Sequence, residues 1–397
     1  MEKSTKIAPS RLLSLDVLRG ITIAGMMLVN NPGSWSYVYA PLGHAQWNGL
    51  TPTDLVFPFF MFIMGVSMFL SFKKFDFRIS KDSFVKLLRR SVLLFLIGLA
   101  IGWLGLTLRT FNGLRSEELG FFSQLWQSAT NFENLRILGV LQRLALVSFF
   151  GTLIILLVRP NRIPLLIGLI LVAYWLIIAF TNSYEMNEDS LVAIIDRAIL
   201  GATHMYHDTT ASGVRIPFDP EGILSTIPCL AHVLLGFWAG KLLSDTKDLN
   251  QKIQKLFVFG TIILFAGFLL DYGFPINKKI WSISFVLTTC GLASLFLGLL
   301  IWIIDIKGNR KWAVFFESFG VNPMFVYVVG AVLGILIGNL GFTLNGEFIS
   351  FKTFIYNNIL QPALGDYPGS LAFALVFVSI CWAVGHVLYK KKIFIKL

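Results

Sequence analysis

Residues 43–72 read Gly43-His44-Ala45-Gln46-Trp47-Asn48-Gly49-Leu50-Thr51-Pro52-Thr53-Asp54, then LVFPFFMFIMGVSMFLSF through Phe72. The second half carries no charged residue. It has the length of a helix that crosses a bilayer, which takes about 20 apolar residues. The first half places a histidine, an asparagine and an aspartate in the gap before that helix. The apolar run decides the fold class, and the polar gap poses the question of function.

Runs of the same kind recur along the chain. They predict spans at 13–31, 53–72, 84–108, 137–158, 163–182, 223–243, 254–272, 280–305, 314–340 and 370–389. The expected fold is an all-α polytopic membrane protein, a bundle of about ten transmembrane helices forming a single transmembrane domain over residues 1–397. Composition agrees. The chain is 55% hydrophobic and 14% charged, with a mean hydropathy of +0.72, whereas soluble domains carry about 25% charged residues. Its 37 Phe and 10 Trp suit lipid-facing and interfacial surfaces. The three cysteines, Cys229, Cys290 and Cys381, lie in apolar runs without disulfide or zinc spacing.

Basic residues fix the expected orientation, because cytoplasmic loops are enriched in Lys and Arg. With the N-terminus inside, the inner segments hold 23 of the 33 Lys and Arg and the outer segments hold 8. Lys3, Lys6, Arg11 and Lys396 are among the inner ones. Both termini are then cytoplasmic, and the outward loops fall at about 32–52, 109–136, 183–222 and 341–369. The net charge of +11 follows from membrane topology and calls for no nucleic acid. The first helix carries Asp16 and Arg19 and precedes no small-residue cleavage site, so it reads as a retained span. Gly98/Gly102 and Gly330/Gly334/Gly338 read as close helix packing.

Ionisable side chains within spans are expensive and commonly face a cavity. Asp16, Arg19, Arg143, His232, Asp271, Glu317 and His386 are the candidates, most of them near helix ends. Glu317 and Asn322 flank Gly320 and Pro323, which predicts a locally broken helix lining a cavity. In the opening stretch, Thr51, Pro52 and Asp54 have the spacing of a capping box. His44 has no such role. It reads either as an interfacial histidine bonded to a neighbour or as a neutral imidazole acting as base or nucleophile. Asn30 and Asn31 end the first helix and could orient it or donate to a developing oxyanion.

The outward loop 183–222 is acid-rich, and a cationic sugar or amine could dock there. Its Asp219-Pro220-Glu221 reads first as the cap and first turn of the next helix. His204, His207 and Asp208 match no metal signature, so no metal is expected. On the inner side, Arg89 and Arg90 with Lys86, and Lys390 and Lys391 with Lys392, form two basic patches. They fit anionic lipid contact or the phosphates of a cofactor.

Several strings together resemble the transmembrane acetyltransferases of the heparan-alpha-glucosaminide N-acetyltransferase family. They are Ser14-Leu15-Asp16-Val17-Leu18-Arg19-Gly20, and His44-Ala45 through Trp47-Asn48-Gly49-Leu50-Thr51 followed by Asp54-Leu55-Val56-Phe57-Pro58. Next come Gly139-Val140-Leu141-Gln142-Arg143-Leu144, Ile195-Asp196-Arg197, His204-Met205-Tyr206 and Asp219-Pro220-Glu221-Gly222-Ile223-Leu224. The last are Pro275-Ile276-Asn277-Lys278 with Trp281-Ser282, and Leu388-Tyr389-Lys390-Lys391-Lys392. The matches run in order from end to end.

The resemblance implies acetyl transfer from cytoplasmic acetyl-CoA to a sugar amine on the far side, with His44 as the active histidine and Asn30 as its partner. Lys279 stands where the resemblance leads one to expect asparagine, and the segment between Asn30 and His44 is a few residues longer. Asp54 completes the expected catalytic set. Arg143 and Ser282, with Arg89, Arg90, Lys390 and Lys391, are the expected acetyl-CoA contacts. Trp47, Asn48, Asp219, Glu221 and Asn277 are the expected acceptor contacts. A bacterial inner membrane location and a homodimer are also expected.

The division of labour is physically sensible. Phosphate charges do not cross hydrocarbon readily, so the nucleotide stays on the basic side and only the thioester reaches inward. His44 would then either take the acetyl group itself or deprotonate the acceptor. Two rivals share the pattern: an O-acyltransferase of envelope glycans, and a secondary transporter. No internal repeat favours the transporter.

Overall fold

The computed structural model describes residues 12–395 except 118, 182, 211 and 345. Lys3, Lys6, Arg11 and Lys396, counted in the charge bias, lie outside the described residues. Helix α1 spans Leu13–Asn30, α2 Val56–Phe72, α3 Lys81–Gly113, α4 Phe121–Thr130, α5 Val140–Leu157, α6 Ile163–Phe180 and α7 Leu191–Leu200. Strands β1 (His207–Thr209) and β2 (Arg215–Pro217) follow, then α8 (Thr226–Ser244), α9 (Leu249–Asp271), α10 (Ile283–Leu300), α11 (Ala313–Val321) and α12 (Pro323–Asn339). The chain ends with β3 (Gly341–Leu344), β4 (Glu347–Ser350), α13 (Phe351–Ile355), α14 (Gln361–Leu364) and α15 (Asp366–Lys390).

Among the described residues, nine helices are long and apolar enough to cross a membrane, and a bent pair makes ten if counted as one span. The protein is an integral membrane protein of all-α type. Its only sheets among the described residues are two antiparallel hairpins, β1–β2 and β3–β4. The first pairs His207 with Pro217, the second Gly341 with Ser350.

The expected break at Asn322-Pro323 is present, where α11 and α12 meet at 87°. Proline cannot donate the helical hydrogen bond, and it fits the first position of a new helix. The Asn322 side chain ties the break to residues 393–395. Asn322 Nδ2 donates to Ile393 O at 2.8 Å, and Ile395 N donates to Asn322 Oδ1 at 2.8 Å. Among the described residues, Glu317, Gly320, Asn322 and Pro323 are not in the lining of the cavity beside α12. The far half of α12, with Gly334 and Gly338, lines it.

The core is built around α2, α8 and α10, with Phe62, Phe69, Phe237 and Phe285 buried among them. Here α2 and α8 cross at backbone contact. A Cβ on Gly65 would sit 2.0 Å from Val233 O, and one on Gly236 would sit 2.2 Å from Phe62 O. Small residues permit this approach, which membrane helices use because lipid offers them no hydrophobic drive to associate. Gly98 and Gly330, from the patterns noted above, likewise seat the side chains of Gln142 and Met27.

The loops 109–136, 183–222 and 341–369 hold more regular structure than the sequence predicts. Helix α4 lies in the 109–136 segment, α7 and the first hairpin in 183–222, and the second hairpin in 341–369. Asp219-Pro220-Glu221 does not cap α8, which begins at Thr226. Both acids turn instead to Arg136.

Candidate active site

At the end of the bundle where α1 stops and α2, α5, α8 and α10 start, the connecting segments enclose a chamber of about 530 Å³. Asn30, His44, Asp54, Arg136, Tyr206, Asp208, Glu221, Lys278 and Lys279 contribute its polar wall. That volume lies in the range of sites that enclose small ligands.

Asp54 organises the His44 loop. It is 1% exposed. Its Oδ2 accepts from Ala45 N at 3.0 Å and Thr51 N at 3.2 Å. The Thr51 hydroxyl lies between Asp54 Oδ2 at 2.9 Å and Gly43 O at 2.7 Å. This is the expected capping exchange, with the carboxylate returning to the backbone of the cap residue. Oδ1 is left for chemistry. His44 Nδ1 lies 2.7 Å from it, and Lys278 Nζ lies 3.2 Å from it. An ionised carboxylate only accepts, so the network assigns the imidazole hydrogen to Nδ1 and the lone pair to Nε2. His44 is half-exposed to the chamber, and its Nε2 makes no hydrogen bond to the described residues. A histidine oriented by a buried aspartate, with its other nitrogen open to a cavity, is the geometry of a general base or nucleophile.

Asn30 and Asn31 behave differently. Asn31 Nδ2 donates to Met27 O at 2.9 Å and so completes the last turn of α1. Asn30 is exposed to the chamber and to a neighbouring cavity of about 410 Å³, and its amide has no partner among the described residues.

Arg136 also lines the chamber. Its guanidinium forks to Asp219, with Nε at 2.9 Å and Nη2 at 2.5 Å, and reaches Glu221 at 2.5 Å. Burial disfavours the charged guanidinium, but Glu221 and Asp219 more than offset this, so its pKa is raised. Burial pushes the Glu221 carboxyl up, and Arg136 overcomes that to hold it below the ordinary glutamate value. Asp219 has no exposed surface and also accepts from Tyr206 N at 3.0 Å. Lys279 pairs with Asp208 at 2.6 Å.

The structure brings His44, Asn30, Asp54 and Glu221 together around the chamber. Other residues singled out from sequence lie behind its wall. Trp47 packs on Phe218 and donates Nε1–H to Tyr184 O at 2.8 Å. Asn48 Oδ1 accepts from Asn277 Nδ2 at 3.2 Å. Ser282 caps α10, accepting from Phe285 N at 3.2 Å and Asn277 N at 3.0 Å. Arg143 is fully buried in the second turn of α5, where it bonds Gly222 O and the Ser225 hydroxyl and faces the Trp281 ring. Arg89 and Arg90 lie near the other end of α3, and Lys390 and Lys391 lie at the far end of α15. Roughly 35 Å of helix separates Arg90 from the end of α3 nearest the chamber.

Arg136, Tyr206, Asp208, Lys278 and Lys279 are lining residues that the sequence reading had not placed in the site. Tyr206 and Lys278 lie in matched strings and Lys279 follows one, Asp208 drew notice only as a metal ligand, and Arg136 carries no sequence signal. No group of three His, Cys, Asp or Glu side chains among the described residues is arranged to hold a metal ion.

Comparison with known proteins bears on this arrangement. Residues 11–125, which include the His44 loop, match a family described as a domain of unknown function, DUF5009. The chain is 28% identical to human heparan-alpha-glucosaminide N-acetyltransferase over 98% of its own length and 60% of the relative's. It is 29% identical to the mouse protein of the same name over 100% of its own length and 62% of the relative's. The chain thus spans about three fifths of the curated relatives it matches.

Proposed function

We propose that this membrane protein is an acetyltransferase that moves an acetyl group from acetyl-CoA to the amine of a glucosamine-type sugar. The observation that carries this reading is the His44–Asp54 pair, held at 2.7 Å by a loop that gives the carboxylate's other oxygen three donors. The likeness to two N-acetyltransferases over nearly the whole chain supports it.

In this reading the Nε2 lone pair of His44 attacks the thioester carbonyl and expels the coenzyme A thiolate, and the acceptor amine then takes the acetyl group from the imidazole; or His44 takes a proton from the acceptor amine as that amine attacks the thioester directly and the thiolate leaves. Asp54 stabilises the charge that develops on the imidazole in either route. The amide of Asn30, which has no protein partner, is available to donate to the oxyanion. The acceptor enters from the chamber side, beside Glu221. The nucleotide of acetyl-CoA stays at the opposite, Lys/Arg-rich end, which is cytoplasmic in this proposal, with a bacterial inner membrane as the setting. A homodimer is the proposed assembly.

The test is transfer of labelled acetyl from acetyl-CoA to glucosamine in membranes holding wild type or His44→Ala. Because His44 is 47% exposed, its truncation should leave the fold intact. Loss of at least about 10³-fold is expected, as for removal of a member of a catalytic triad. Equal transfer by the folded variant would sink the proposal.

A further inference from the structure

The chemistry above uses His44 and Asp54 and leaves Lys278 without a role. Its Nζ lies 3.2 Å from Asp54 Oδ1 and 3.1 Å from His44 Nδ1, and its side chain is 19% exposed. The segment that carries it is rigidly built. Asn277 Oδ1 accepts from Ile280 N at 3.1 Å, and Ser282 N donates to Asn277 O at 2.9 Å. Trp281 adopts a left-handed backbone with φ 53°. That conformation is costly for a bulky residue and persists where its surroundings over-determine it. Two bonds fasten this segment to the His44 loop: Gly49 N donates to Ile276 O at 2.7 Å, and Asn277 Nδ2 donates to Asn48 Oδ1 at 3.2 Å. The ammonium is therefore held in place beside the His–Asp pair.

Electrostatics says what that placement does. A carboxylate against an imidazole favours its doubly protonated form, because an opposite charge within about 4–6 Å stabilises the charged state. An imidazolium has no lone pair and is neither base nor nucleophile. A fixed ammonium 3.1 Å from the ring opposes the second proton. Since Nδ1 carries its hydrogen toward Asp54, Lys278 donates to Asp54 Oδ1 and not to the ring, so both can share that oxygen.

The other charges that face the chamber are already committed. Lys279 is paired with Asp208, and Arg136 with Asp219 and Glu221. Tyr206 lies against the Arg136 guanidinium. None of them lies within hydrogen-bonding distance of His44.

We propose that Lys278 is a positioning residue that keeps His44 singly protonated at neutral pH, with hydrogen on Nδ1 and the lone pair on Nε2. Its relevance to catalysis rests on the function proposed above. Its effect on the protonation of His44 does not.

Diethyl pyrocarbonate tests it without any acetyl transfer, because the reagent carbethoxylates only unprotonated imidazole. The rate of modification of the His44 peptide is followed by mass spectrometry against pH in wild type, Lys278→Met and Lys278→Arg. The midpoint of the Met variant should lie higher than that of wild type by about one pH unit, and the Arg variant should keep the wild-type midpoint. The His204 peptide, whose ring bonds Leu135 O far from Lys278 in the chain, serves as the internal reference. Lys278→Gln supplies the neutral variant if the Met variant does not assemble. A neutral variant whose midpoint coincides with wild type, or lies lower, overturns the proposal. In a parallel transfer assay, the acid limb of kcat/KM should move with the modification midpoint. A wild type that transfers no acetyl refutes the proposed function, while the modification profile still judges Lys278.

Discussion

Asp54→Asn separates the two tasks of that carboxylate. Oδ2 accepts from Ala45 N, Thr51 N and the Thr51 hydroxyl, while Oδ1 serves His44 and Lys278. Asparagine has only one oxygen to offer. Turned toward His44, it strands two backbone donors, at about 1–3 kcal/mol each. Turned toward the loop, it satisfies them and points its NH2 at His44 and Lys278. In this variant Lys278 loses the carboxylate charge that holds it, and its ammonium turns to water, so the second orientation wins.

The amide then donates to Nδ1, and the imidazole hydrogen is driven to Nε2, the nitrogen that must be free. The same inversion in a Ser-His-Asp triad lowers kcat about 10⁴-fold with the geometry intact. A loss of about 10³–10⁴-fold is therefore expected here. The assay is turnover of labelled acetyl transfer in detergent at saturating acceptor, with size-exclusion and thermal melting to confirm the fold. A folded Asp54→Asn protein that keeps more than about a tenth of wild-type turnover would show that His44 works without its aspartate, and the reasoning would fail.

Asp196 should make stability fall as pH rises. It has no exposed surface, and burial pushes its carboxyl up to about 6 from 3.8, against the pull of the Ile223 and Leu224 N–H groups. The folded state binds this proton more tightly than the unfolded state. Its contribution is thus full below about pH 4 and lost as pH rises through about 6, by about 3 kcal/mol in all. Melting temperatures across pH 4–8 should show a fall in wild type and a flatter line in Asp196→Asn, and parallel lines would contradict this. Gly236→Ala would place a Cβ 2.2 Å from Phe62 O, so α2 and α8 must separate. Destabilisation of about 1–3 kcal/mol or more is expected, and an unchanged melt would mean that the crossing yields more easily than its geometry implies.

The spans were legible because hydrocarbon imposes length and apolarity whatever the tertiary contacts. The break at Pro323 was legible for a local reason as well. Helices α4 and α7 and the two hairpins were not, because short elements depend on partners that sequence does not display. Trp103 Nε1, for example, holds the end of α4 by donating to Ala129 O at 2.8 Å.

The site divides along the same line. The capping spacing placed Asp54 for an ordinary reason and gave no sign that its second oxygen holds His44. Lys278 lies 234 residues from His44 in the chain, and only the fastened loops bring the two together. Nor does composition separate a wall residue from a brace, and the destination of each hydrogen bond does. Asn30 and Asn31 are adjacent and chemically identical, yet Asn31 completes its helix through Met27 O. Asn30 faces the chamber with its amide unused. Of the two, Asn30 is therefore the residue whose polar atoms remain free for a ligand, since an amide that faces the chamber and binds nothing in the protein is one a substrate can engage without first breaking a protein hydrogen bond.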